Sequence, residues 1–316
     1  MPDLRPIVSQ EQALAALSQH FAEPITDIEP LEGGQVMRTL AFRTGGSAYV
    51  AHFNRDNMLS SNLPKEALLL RKLASSPVPV APTLHIGRLG ALHYSIQPRI
   101  PGQMLENLKP WEQERFVPQI IDILDAIHHI DVSESSGYGV IDDQEQGMAS
   151  SWHGFLRRIA GEDDEHDYYG KWHHLFDDTF LERDRFNDIY QRMCGLLAYC
   201  PEERYLVHGN YSTRNILADG DQITGVIDWV DARYGDFVYD ITCLDFWNPW
   251  LNIREHFQNH YRQRGIEVPA FEQRLLCYEC YTTLDGMRFF AKAGNEDAYR
   301  MVCQRFDAIL NERASM

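Results

Sequence analysis

No stretch of this sequence is apolar for long enough to cross a membrane, and no internal repeat or low-complexity segment interrupts its 316 residues. The opening residues, Met1 to Pro6, contain no apolar run of the kind that starts a secretory signal. The chain is therefore expected in the cytoplasm, as a monomer with no membrane partner. Basic residues are scarce as well: 29 Lys and Arg stand against 46 Asp and Glu, a formal net charge of −17. A nucleic-acid polymer requires a basic face, so that partner is excluded. An acidic cleft would instead concentrate a cationic small molecule, although the same charge also serves solubility. Cysteine is sparse and scattered, at 194, 200, 243, 277, 280 and 303. Cys277 and Cys280 form a lone C-x-x-C in a segment patterned as helix, with no second pair at zinc spacing. Buried, reduced thiols are the expectation.

What is present reads as an α+β protein of two lobes. Thr39–Arg43 and Ala48–Phe53 are apolar and aromatic runs around Thr44-Gly45-Gly46-Ser47, the pattern of a hairpin. A helix with Leu69, Leu70 and Leu73 on one side follows, and prolines at 77, 79 and 82 end it. Two more strands are expected over 83–87 and 91–97. Pro98-Arg99-Ile100-Pro101-Gly102 is the best linker, which divides the chain into a small β-rich lobe (1–98), a hinge (99–105) and a larger, mostly helical lobe (106–316). In that second lobe Phe116, Ile120, Ile123, Leu124, Ile127 and Ile130 recur at helical spacing. Residues 179–199, 250–264, 270–292 and 295–311 also pattern as helices. Between them, Asn215 to Ile227 reads as a tight hairpin turning at Asp219-Gly220-Asp221. A cleft between two lobes is a natural ligand site.

Polar residues gather at both mouths of that hairpin. Leu206-Val207-His208-Gly209-Asn210-Tyr211-Ser212-Thr213-Arg214-Asn215 leads in, and Val226-Ile227-Asp228-Trp229 leads out. Phosphoryl transfer from ATP uses Mg²⁺ on hard oxygen ligands, and a group that orients the acceptor hydroxyl and takes its proton. A hairpin that carries Asn215 at its entrance and Asp228 at its exit would bring two such ligands side by side. A residue five positions before the Asn would then face the acceptor.

These residues resemble the aminoglycoside phosphotransferase and choline kinase superfamily, most closely its hygromycin B branch. The matching stretches are His208-Gly209-x-x-x-x-x-Asn215, Ile223 to Trp229, Tyr234-Gly235-Asp236 and Phe246-Trp247-x-Pro249-Trp250-Leu251, with Asp177-Asp178-Thr179, the run from Thr44 to Val50 and Leu284 to Ile309 beside them. The resemblance implies a protein-kinase-like fold and an antibiotic-resistance phosphotransferase that uses ATP and magnesium. Asn215 and Asp228 would ligate the metal, and Asp236 and Asp240 would brace the loops. Trp247 and Trp250 would either line the pocket of a cationic amino-sugar or pack in the core. By resemblance the adenine would lie near Gln97 to Ile100. Choline or a sugar remains an alternative acceptor.

Two departures qualify this. The family carries Asp where this chain has Asn210, and an amide cannot take the acceptor's proton. That predicts an impaired enzyme or a binding protein without turnover. His52 stands where kinase-like folds present Lys on the third strand, and Lys65-Glu66 opens the helix expected to supply its partner carboxylate. A neutral His52 still offers one hydrogen bond to a phosphate; its other reading is a buried strand residue. Gly33-Gly34-Gln35 is a weak candidate for a loop covering the nucleotide, with Gly34 at its centre. The acidic run Asp163 to Asp167 reads as a solvated loop or as an attractor for a polycation.

Overall fold

The computed structural model describes residues 5–31, 37–55, 62–163 and 168–314. The Gly33-Gly34-Gln35 loop, and 164–167 of the acidic run, lie outside the described residues. The N-terminal part is a five-stranded antiparallel sheet, β1 (Thr26–Pro30), β2 (Arg38–Thr44), β3 (Ser47–Arg55), β4 (His85–Leu89) and β5 (Leu92–Pro98), in the order β1-β2-β3-β5-β4. The β2–β3 hairpin closes at Thr44↔Ser47, with Gly45 and Gly46 both at positive φ, as a two-residue turn requires. Helix α1 (Gln10–Leu17) starts at a capping box: Gln12 N–H donates to Ser9 Oγ at 3.1 Å, and Ser9 N–H donates to Gln12 Oε1 at 2.9 Å. Its buried residues Ala13, Ala16 and Leu17 pack with Leu40, Phe42, Ala51, Phe53, Tyr94 and Ile96 on one face of the sheet. Alternation then puts Thr39, Val50, His52, Ser95 and Gln97 on the opposite face, paired as Thr39↔His52↔Ser95 and Val50↔Gln97.

Helix α2 (Asn62–Leu73) follows the hairpin in sequence but does not join the sheet's core. Its Leu69, Leu70 and Leu73 are buried in the large C-terminal core with Ile120, Leu124 and Ile127 of α4 (Val117–His128). The chain crosses between the parts at 98–104. Arg99 N–H bonds to the Ala48 carbonyl at 2.9 Å, Thr224 Oγ1 donates to the Pro101 carbonyl at 2.6 Å, and Ile100 lies against Gly225, where a Cβ would stand 2.6 Å from Ile100 Cδ1.

The C-terminal part also holds α3 (Pro110–Gln113), α5 (Trp152–Arg157), α6 (Leu175–Asp178), α7 (Arg183–Leu196), α8 (Val238–Trp247), α9 (Ile253–Gln263), α10 (Phe271–Lys292) and α11 (Glu296–Ala314). The hairpin expected over 215–227 is β10 (Ile216–Asp219) with β11 (Gln222–Val226); β6 (Gln103–Met104), inside the expected hinge, adds a third strand. A second sheet, β8-β7-β12-β9, was not anticipated. It consists of β7 (Tyr138–Ile141), β8 (Gly147–Ala149), β9 (Tyr205–Val207) and β12 (Arg233–Gly235). These strands have three or four residues, too few to show alternation. The expected helix at 179–199 is shorter, and the one at 250 begins at Ile253 because Pro249–Leu251 forms a 3₁₀ turn. Among the described residues no helix is long and apolar enough to cross a membrane. All six cysteines are free thiols, five of them buried.

Candidate active site

β9 delivers the chain into the loop His208–Asn215. Asp240, one turn into α8 and fully buried, accepts from the N–H of His208 at 2.7 Å and from that of Gly209 at 2.9 Å. Gly209 has φ +83, and a Cβ there would stand 2.1 Å from the Asp231 carbonyl oxygen, so only glycine fits. His208 Nε2–H donates to the Ile227 carbonyl at 2.9 Å, and Nδ1 accepts the Asn210 N–H at 3.3 Å. Both ring nitrogens are thus committed. Burial also holds the imidazole below its usual pKa, against the pull of Asp240, so His208 is a neutral brace.

The other end of the loop is bolted to three elements. Thr213 accepts from Glu106 N–H through its carbonyl at 3.1 Å. Asn248, just past α8, donates Nδ2 to Thr213 Oγ1 at 2.9 Å. Arg214 Nε pairs with Glu106 at 3.2 Å. Buried Asn215 donates Nδ2 to the Asn210 carbonyl at 2.9 Å, and its own carbonyl accepts the Ile227 N–H at 3.0 Å. With Ile216 opposite Val226 in the hairpin, Asn215 and Asp228 flank its open end.

Asp228 is in the left-handed region, φ +66 and ψ +62. Among the described residues no donor bonds its carboxylate. Burial first, then the charges of Asp231 and Glu66, push its pKa up to about 7. A carboxylate left uncompensated beside an amide oxygen is the donor set a hard cation takes. This donor set fits a hard cation such as Mg²⁺, which Asn215 and Asp228 would hold.

The predicted pairing of His52 with Glu66 does not occur. His52 Nδ1 hydrogen-bonds Thr39 Oγ1 at 3.1 Å across the β2–β3 ladder, and burial takes its pKa down to about 4, so it carries no charge at neutral pH. Glu66 is buried on α2 and accepts the Trp229 N–H at 3.4 Å. The reason lies in the docking of α2, whose leucines turn its first residues toward the Asp228 turn. Lys65, equally buried, donates to the Val230 carbonyl. Burial lowers this ammonium to about 8, with Asp231, Glu66 and Asp142 acting in the opposite sense. Sequence reasoning gave Lys65, Asn248 and Glu106 no task; nothing in their spacing reveals these contacts.

Gln97 is buried on the polar face of the sheet, its Nε2 donating to Thr83 Oγ1 at 3.2 Å, one ladder step from His52. Ile100 is partly taken up by Gly225. Trp247 is partly buried, edge-on to Phe246 at 5.0 Å, and packs against the cluster of Phe246, Val302 and Ile309. Phe289, Phe290, Glu296 and Asp297 line an open depression of about 540 Å³. Trp250 is 37% exposed and donates Nε1 to Gln113 Oε1 at 3.1 Å. The two tryptophans thus divide between packing and surface. Asp236 is wholly buried: Arg274 pairs with it through two nitrogens, Tyr278 Oη donates at 2.6 Å and Val238 N–H at 3.0 Å.

The chain is similar to known proteins. Residues 27–275 match the model of the phosphotransferase enzyme family, APH. The hygromycin-B 4-O-kinase of Escherichia coli is 31% identical over 296 residues, covering 92% of this chain and 83% of that protein. An N-acetylmuramate/N-acetylglucosamine kinase of Pseudomonas aeruginosa is 33% identical over 118 residues, 32% of this chain and 35% of that one. The crystal structure of a thermostable mutant aminoglycoside phosphotransferase, in ternary complex with AMP-PNP and hygromycin B, superposes with a TM-score of 0.80 at 28% identity, covering 96% of this chain and 99% of that one. The fold is thus the kinase-like α+β fold, and the chain belongs to the APH phosphotransferase enzyme family.

Proposed function

We propose that the protein transfers the γ-phosphoryl group of ATP to a hydroxyl of an aminoglycoside of the hygromycin B type. The observation that carries the reading is the hairpin mouth, where Asn215 and Asp228 flank one point and Asn210 is tied to Asn215 by a hydrogen bond. The similarity to a hygromycin-B 4-O-kinase along most of the chain supports the acceptor class. The excess of acidic residues over the whole chain suits a cationic amino-sugar.

In this reading residues 1–98 form the nucleotide lobe, 99–105 the hinge and 106–316 the acceptor lobe, with the purine near Gln97 and Ile100. Magnesium, when bound at Asn215 and Asp228, neutralises charge on the phosphates. The chain's own residues do the rest. His208 and Asp240 fix the loop, Asn210 orients the acceptor hydroxyl by hydrogen bonding, and the hydroxyl oxygen bonds to phosphorus as the bond to ADP breaks. With an amide at 210 no protein carboxylate takes the hydroxyl proton, which leaves to water or to a phosphate oxygen. Positioning still supplies much of such a reaction, so the enzyme is slow rather than inert. ATP is a cytoplasmic nucleotide, which supports a cytoplasmic location.

The neutral His52 and Asn210 together favour a second reading, a kinase-fold protein that binds its ligand without turnover. A third, from the partial match to an amino-sugar kinase, is a sugar acceptor. Transfer of labelled γ-phosphate to hygromycin B, N-acetylglucosamine and choline, each with and without Mg²⁺, separates them. Metal-dependent labelling of hygromycin B alone is the expected result; labelling of another acceptor in its place, or of none, contradicts the proposal.

A further inference from the structure

The turn that presents Asp228 is held from two sides. Within the C-terminal part, Ile227 is fixed by His208 and by Asn215, and Trp229 Nε1 donates to the Val226 carbonyl at 3.0 Å. On the far side of Asp228 the backbone of Trp229 and Val230 is held by α2 alone among the described contacts: Glu66 takes the N–H of residue 229 and Lys65 the carbonyl of residue 230. The next backbone contact, Ala232 N–H to the Trp229 carbonyl at 3.1 Å, is internal to the turn.

Three facts give these two bonds weight. Asp228 sits at positive φ, a conformation that non-glycine residues keep only when the surroundings impose it. Lys65 and Glu66 are 3% and 6% exposed, so water does not compete for either bond. And α2 is anchored by Leu69, Leu70 and Leu73 in the same core as α4, which fixes it to the part that carries the turn and not to the sheet it follows in sequence.

We infer that Lys65 is a positioning residue for the metal-binding carboxylate of Asp228, acting through the Val230 carbonyl, with Glu66 as its companion on the Trp229 N–H. The inference rests on the reading of Asp228 as a magnesium ligand. It reassigns the start of α2: its charged pair supports the metal turn and leaves the third-strand residue, His52, to Thr39. Outer partners of metal ligands commonly carry about 10–100-fold in metal affinity or activity.

The test compares wild type with Lys65→Met, which keeps length and removes the donor, and Lys65→Gln, which keeps a donor without charge. Two properties are measured: amide hydrogen exchange of the peptide 226–232 in the free protein, and ATP affinity with and without Mg²⁺. In Lys65→Met exchange should rise about ten-fold, the worth of one hydrogen bond. The gain in ATP affinity from Mg²⁺ should fall about 10–100-fold while metal-free affinity holds. Lys65→Gln should recover part of both losses, and it carries the test if Lys65→Met does not fold. Unchanged exchange, an intact magnesium gain, or an equal loss of metal-free affinity overturns the inference. If wild type gains no ATP affinity from Mg²⁺, the metal reading of Asp228 fails, and the exchange arm still decides whether Lys65 holds the turn.

Discussion

The Asn215 carboxamide donates to the Asn210 backbone carbonyl at 2.9 Å, which ties together the residues proposed to face the metal and the acceptor. Asn215→Ala removes an oxygen ligand and this brace together. The magnesium-dependent gain in ATP affinity should drop about 10–100-fold, read by titration calorimetry with and without the metal. An intact gain would take Asn215 out of the metal site.

His52 gives a pH prediction with a defined sign. Burial lowers its folded-state pKa from 6.5 to about 4. Between those values the unfolded chain binds the extra proton and the folded one does not, so stability is full above about pH 6.5 and declines as pH falls toward 4. The loss attributable to His52 is about 2 kcal/mol once partial exposure is allowed for. His52→Gln should flatten this part of the stability-pH curve, measured by urea unfolding at pH 4.5 and pH 7. Because the imidazole is neutral at pH 7, the same change should leave ATP affinity there within a few-fold. A large loss of affinity would restore His52 as a phosphate contact.

The pair of Asp236 and Arg274 is buried on both sides. Arg274→Met leaves a buried carboxylate with only Tyr278 and Val238 as donors, which costs about 3–5 kcal/mol. Calorimetric melting should show a drop of roughly 10 °C. Adding Asp236→Asn should recover part of it, since the uncompensated charge is then gone.

The two tryptophans should separate. Trp250 is the more exposed, so Trp250→Ala should weaken aminoglycoside binding about 3- to 30-fold, the worth of a cation–π contact, with little change in melting temperature. Trp247→Ala should lower the melting temperature as well, because its ring packs on Phe246 and the small cluster that Phe246 forms with Val302 and Ile309. Equal binding by wild type and Trp250→Ala would exclude that ring from the acceptor site.

The hairpin from Asn215 to Ile227 was legible because its turn, Asp219-Gly220-Asp221, and its apolar strands are local signals. Helix α4 was legible for the same reason, through Ile120, Ile123, Leu124 and Ile127 at helical spacing. The β8-β7-β12-β9 sheet was not, since its strands are short and their partners distant. The leucines of α2 announced an apolar face but not which core would receive it, and from that one ambiguity came the mistaken partner for Glu66. Cross-strand register likewise decides that His52 meets Thr39, and register depends on pairing that a single strand does not encode. The meeting of Asn215 and Asp228 at the hairpin mouth was readable from residue type and spacing, and Asp240 as a loop brace from the resemblance; the supports from Lys65, Glu106 and Asn248 were not.

The central claim is a phosphotransferase scaffold weakened at one side chain. Its most direct test is the rate of ATP-dependent phosphorylation of hygromycin B by wild type and by Asn210→Asp, at saturating Mg²⁺ and pH 7.5. Slow transfer by wild type and about 10²–10⁴-fold faster transfer by Asn210→Asp is the predicted result. No transfer by either protein, with hygromycin B and ATP both bound, would contradict it.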